Sequence, residues 1–226
     1  MKGSMATVPV ATVICMAVGA PYLWLGCQHY LTHGRLSGGA QSVLLFLSIN
    51  LLICLWELCL CYKYRLIRST HTQRVKAGET RSTKIVVFRS MRLSEILSPS
   101  FWSQIWIDYS RFDPSYADSR SAGYNVDICN GHSTLPPTLF LMVSMVWPIF
   151  GAKVTGMVAL VMHYQMLYGS LMYFVSFFNN RSHKAISQAE VIAAVLCPTL
   201  VWVVFPLVGM YQGYRLIMED SFSAWQ

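Results

Sequence analysis

Two ionisable side chains, Glu57 and His163, lie well inside apolar stretches of this 226-residue sequence. A titratable group in hydrocarbon is costly unless a partner or a cavity receives it, so each is a functional candidate. Glu57 lies near the end of its stretch, close to Tyr62 and Lys63, and is expected to snorkel or pair there. His163 is expected to hydrogen-bond from helix to helix, as are Asn50 and Gln165. Spacing assembles no acid–base pair; Glu57 and His163 meet only if the fold brings them together. There is no HExxH, no His/Cys cluster, no phosphate-cradling Gly loop and no GxSxG. The seven cysteines form no CxxC pair, so neither a disulfide framework nor a metal site is expected, and no cofactor.

The elements that must position these groups are membrane spans. Hydrophobic residues make up 54% of the chain and charged ones 12%, against about 25% charged in soluble domains. The length suits one compact bundle. Apolar stretches predict five spans, at about 8–30, 40–62, 135–151, 154–178 and 192–216. The first is expected to bend near Pro21. The third is expected to start at Pro136 and Pro137, after a polar, Gly-bearing turn from Tyr124 to Thr134. The fold class expected is an all-α membrane bundle of five helices in a single domain.

Charge is gathered between the second and third spans. Nine cations fall in a loop at 63–92: Lys63, Arg65, Arg68, Arg74, Lys76, Arg81, Lys84, Arg89 and Arg92, opposed by Glu79 and Glu95. Such a run marks the retained face of a membrane protein. Lys63, Arg65, Arg68, Arg74 and Lys76 are the expected contacts to anionic lipid or a partner subunit; nucleic acid is not the expected partner. The stretch from Ser100 to Asp118 mixes Trp102, Trp106, Tyr109, Phe112 and Tyr116 with Asp108, Arg111, Asp113 and Asp118. Aromatics interleaved with charges beside spans predict a segment lying at the bilayer surface.

Three stretches then resemble one family. Ile105 to Tyr116, Gln165 to Gly169 with Tyr173 and Phe174, and Trp202 to Pro206 are similar, in order and spacing, to motifs of emopamil-binding protein, the sterol double-bond isomerase, and its EXPERA relatives. The resemblance covers about 44–216. It implies a five-helix bundle around a sterol-sized cavity. It makes Asn50, Cys54, Trp56, Trp106, Tyr109, Asp113, Tyr168 and Trp202 the expected cavity-lining residues. The family's chemistry uses a proton donor and acceptor under a sterol double bond, with a Trp face to hold a carbocation. In the second span the family places a His and, one turn later, a Glu; alignment on Trp56 puts Asn50 and Cys54 there. Its third-span Glu, aligned on Pro148, falls at about Leu139. Its fifth-span Asn falls at Thr199, and its Trp is retained as Trp202.

The resemblance with those departures implies a non-catalytic family member: an accessory subunit of a larger membrane complex, of respiratory type, holding a phospholipid or sterol in its bundle. The inner mitochondrial membrane and the endoplasmic reticulum are the expected locations. The alternatives are an isomerase that uses Glu57 and His163, and a stand-alone sterol- or lipid-binding protein.

Overall fold

A computed structural model describes residues 6–78 and 85–226. Lys2 and, in the basic loop, Glu79, Arg81 and Lys84 lie outside the described residues. The described residues are mostly helical, with one short strand pair among them, β1 (Thr7–Pro9) with β2 (Ser90–Arg92), antiparallel with Val8 opposite Met91.

Among the described residues, eight α-helices follow in order: α1 (Val10–His33), α2 (Gly38–Tyr62), α3 (Tyr64–Lys76), α4 (Leu93–Ile96), α5 (Pro99–Tyr109), α6 (Ala122–Val146), α7 (Ala152–Asn179) and α8 (Gln188–Glu219). Four of them, α1, α2, α7 and α8, are long and apolar enough to cross a membrane. Local signals explain the boundaries. Ser37, Ser98 and Ser121 cap α2, α5 and α6 by accepting from Ala40 N, Phe101 N and Tyr124 N. Gly34 ends α1 in the left-handed conformation that suits glycine.

The third long helix differs from the sequence expectation. It begins at Ala122, not at Pro136, and the stretch read as a polar turn from Tyr124 is its first half. Pro136 and Pro137 lie inside it. The helix survives them because it is packed along its length between α2 and α7, and packing outweighs two missing amide donors.

Close approach holds the long helices together. A Cβ at Gly156 of α7 would stand 2.6 Å from the Gly213 carbonyl of α8, so the two backbones nearly touch there. The central core joins Leu44 and Phe46 of α2, Met145 of α6, Met162 and Met166 of α7 and Leu216 of α8. A second core, at the other end, joins Leu60 and Ile67 to Trp106, Tyr116, Tyr124, Tyr173 and Phe177.

The aromatic segment is α5 followed by a 3-10 turn at Pro114–Ala117, capped by the Asp113 carboxylate, which accepts from Ser115 N at 3.0 Å. Trp106, Asp108, Asp113 and Tyr116 are all buried. Asp108 pins three elements. It accepts from Arg74 of α3 at 3.0 Å, from the Val86 amide at 2.7 Å and from Gln104 at 2.9 Å.

Candidate functional site

A cavity of about 260 Å³ lies between α2, α5, α6, α7 and α8. Six aromatic residues line it: Trp56, Trp106, Tyr109, Tyr116, Tyr173 and Trp202. Several of them hold one another. The Trp106 indole donates to the Trp56 carbonyl at 2.6 Å and its ring stacks on Tyr116 with centroids 5.0 Å apart. Trp202 packs edge-on to Phe46, 5.6 Å away.

Tyr109 is fixed by a fault in α8. Pro198 brings no amide to the carbonyl four residues back, that of Ala194, and a π turn runs through Val191–Leu196. The Tyr109 hydroxyl donates to that carbonyl at 2.9 Å and lies 3.1 Å from the Tyr173 hydroxyl. Burial pushes the pKa of Tyr109 and of Tyr116 well above the ordinary phenol value, so both remain neutral hydrogen-bonding groups.

Two carboxyl groups reach this aromatic wall, Glu57 from α2 and Asp127 from α6. They interact with each other electrostatically, and the Tyr116 hydroxyl stands beside Asp127. Asn130 donates to both Glu57 oxygens, at 3.0 and 2.9 Å. The position of Glu57 depends on Gly131, one residue on. A Cβ there would come within 2.6 Å of the Glu57 Cβ, so only glycine lets α6 pass this close to α2. Glu57 is therefore neither snorkelled nor paired with Lys63, as its place near the helix end suggested; it is buried and bonded across to α6.

Asp127 is the functional candidate that sequence reasoning missed. Its stretch had been read as a turn. A signal was present, because Gly123, Asp127, Asn130, Gly131, Thr134 and Thr138 recur at helical spacing and form one small and polar stripe. Leu139, the position aligned with the family's third-span acid, is 46% exposed on the outside of the bundle. The acid of the third long helix is instead Asp127, three turns earlier and facing inward.

Of the other expected cavity residues, Trp56, Trp106, Tyr109 and Trp202 line the wall. Asp113 lies behind it, buried, with burial raising its carboxyl pKa above the ordinary Asp value. Asn50 and Cys54 do not line it. They face α6 in a buried polar cluster where Asn50 donates to Thr138 Oγ1 at 2.8 Å and Cys54 Sγ meets Thr134 Oγ1 at 3.3 Å. Tyr168 also lies elsewhere. It is 55% exposed on the outer face of α7, because Met166, Gly169, Ser170 and Tyr173 take the inward positions of that helix.

His163 does not bridge helices. Its Nδ1 bonds the Ala159 carbonyl of its own helix at 2.6 Å and its ring packs on Gly209, where no side chain would fit. Gln165 does cross, donating to Ser133 of α6. Among the basic residues, Arg65, Arg68 and Lys76 are exposed and Lys63 is half-buried. Arg74 is an internal residue, paired with Asp108, and not a free surface cation. Among the described residues, no three His, Cys, Asp or Glu side chains group as a metal site. Apolar walls, two carboxyls and flat electron-rich rings can hold a rigid apolar ligand and exchange protons with it. Compared with family models, curated proteins and solved structures, the chain matches none.

Proposed function

We propose that the protein is an emopamil-binding-protein-like membrane isomerase whose cavity takes a polycyclic, sterol-class lipid and shifts a double bond by proton transfer. All five long helices, α6 included, cross the bilayer in this reading, and α5 lies at its surface over the cavity. The observation that carries it is the meeting of Glu57 and Asp127 at one aromatic wall. One carboxyl delivers a proton to one alkene carbon, which leaves the cation on the other. The second carboxyl removes a proton from the next carbon beyond that cation, whose C–H electrons form the new double bond. The ligand thus ends with as many protons as it began with. The faces of Trp106 and Trp202 meet the cation formed between the two steps. Removing a positioned acid or base typically costs a factor of about 10²–10⁴. The test is expression in cells lacking a sterol double-bond isomerase, followed by sterol analysis. Conversion by the wild type, lost in Glu57→Gln and Asp127→Asn alike, is expected. A well-folded wild type that converts nothing overturns the proposal.

A second reading, a non-catalytic subunit of a larger membrane complex, is favoured by one observation. Asn50 and Cys54, at the family's second-span acid–base positions, are engaged with Thr134 and Thr138 and turned from the cavity. An inner mitochondrial, respiratory-type assembly suits it, whereas the isomerase reading suits the endoplasmic reticulum. Gentle solubilisation of the native membrane separates the two: a chain that migrates alone at its own mass excludes the subunit.

A further inference from the structure

A second concavity, of about 450 Å³, runs on the other side of Trp56, between α1, α2 and the turn into α5. Its wall is apolar, from Val13 on α1 past Leu55 and Cys59 on α2 to Trp102 on α5. Trp56 lines both this groove and the cavity, and it stacks on Trp102 of the groove at 5.8 Å. Among the described residues, the single charged one lining it is Lys63, at its end. Lys63 follows the last turn of α2, lies beside Cys59 and has no acidic partner among the described residues.

We propose that this groove binds one anionic phospholipid, an acyl chain lying along α2 and the phosphate on Lys63. Length supports it. From Leu52 to Lys63 the helix rises about 16 Å at ~1.5 Å per residue. That is about half of the ~30 Å hydrocarbon core, the reach of one leaflet's chains. Charge supports it too. A lone, half-buried ammonium at the end of an apolar groove matches a molecule with a long apolar body and one negative end. The exposed Arg65, Arg68 and Lys76 of α3 carry the same sign nearby but do not line the groove.

The test uses the full chain purified in detergent. It is offered phosphatidylglycerol and phosphatidylcholine of equal chain length and examined by native mass spectrometry. The expected result is one retained lipid per chain, with a preference of about five-fold for phosphatidylglycerol, the effect of one lysine near a headgroup. Lys63→Gln should abolish the preference, Lys63→Arg should keep it, and Arg65→Gln with Arg68→Gln should leave it unchanged. Cys59→Trp, which fills the groove, should remove the retained lipid. Equal retention of the two lipids by the wild type overturns the proposal, as does a preference that survives Lys63→Gln or follows the α3 arginines. A retained lipid unaffected by Cys59→Trp also overturns it.

Discussion

Asp108 shows how one side chain can hold an otherwise loose end of a membrane protein. It is 1% exposed and accepts from α3, from the chain before β2 and from its own helix. A buried carboxylate is tolerable only when every lone pair is used and a cation answers it. Asp108→Ala leaves Arg74 without its partner and the Val86 amide without its acceptor. A loss of about 3–5 kcal/mol is expected, read as a lower unfolding temperature in detergent. Arg74 was read from sequence as a lipid contact because a charge run looks the same whether or not one member is paired. Its partner lies 34 residues away, and only the fold makes that distance short. His71, one turn from Arg74, adds a pH response. Its Nδ1 lies 2.9 Å from Ser110 Oγ, and burial, then the Arg74 charge, lowers its pKa below the usual 6.5. The folded state therefore disfavours the protonated ring. Its contribution to stability is full above pH 6.5 and is lost as pH falls through the lowered value. Unfolding temperature should drop on acidification from pH 7.5 through that range, and His71→Gln should flatten that part of the slope. An unchanged slope in His71→Gln would remove the role assigned to it.

Among the helices, α6 carries both the least expected boundary and the least expected functional group. The other long helices were legible because apolar runs of about 20 residues have few alternatives in a chain of this composition. In α6 the first half is Gly-rich and polar, with two prolines after it, and local propensity there argues against a helix. Tertiary packing decides otherwise. The same small residues that weaken the helix alone allow α2 to lie against it, and the polar ones find partners on α2. Reading for a stripe at helical spacing, and not for hydropathy, would have found Asp127. Gly131 tests this account. A Cβ there meets the Glu57 Cβ at 2.6 Å, an atom too near its own backbone to swing away. Gly131→Ala must part the two helices, at a cost of about 1–3 kcal/mol, and should displace Glu57 from Asn130. Gly38→Ala is the control, since nothing lies within 4 Å of a Cβ there. Thermal unfolding of the two variants, side by side, should show a loss for the first alone.

At the scale of the whole molecule, the first and last described elements sit at opposite ends of the bundle. The N-terminal strand pairs with Ser90–Arg92, ahead of α4 and α5. The C-terminal turn, Phe222–Trp225, packs on the α1–α2 connection, where Ser37 N and Oγ donate to Trp225 O and Ala224 O. Charge follows the same division. Arg65, Arg68, Arg74 and Lys76 lie between α2 and α4, and Arg181 and Lys184 between α7 and α8. At the other end Lys153 pairs with Asp220 at 2.9 Å and Arg215 with Glu219 at 2.7 Å, leaving Arg35 outside these pairs. Lys and Arg near the ends of spans gather on the cytoplasmic or matrix side, so that side should hold the N-terminus, α3 and the α7–α8 turn. The C-terminus then decides what hydropathy leaves open. If α6 crosses the bilayer there are five spans, and the C-terminus faces the opposite side from the N-terminus. If only the four most apolar helices cross, both termini share a side. Epitope tags on each end, probed with protease in sealed vesicles of known orientation, distinguish these. The N-terminal tag should be protected when the C-terminal one is cut, and cut when the other is protected. Protection of both together would remove α6 from the membrane. It would also take Asp127 out of any cavity within the bilayer.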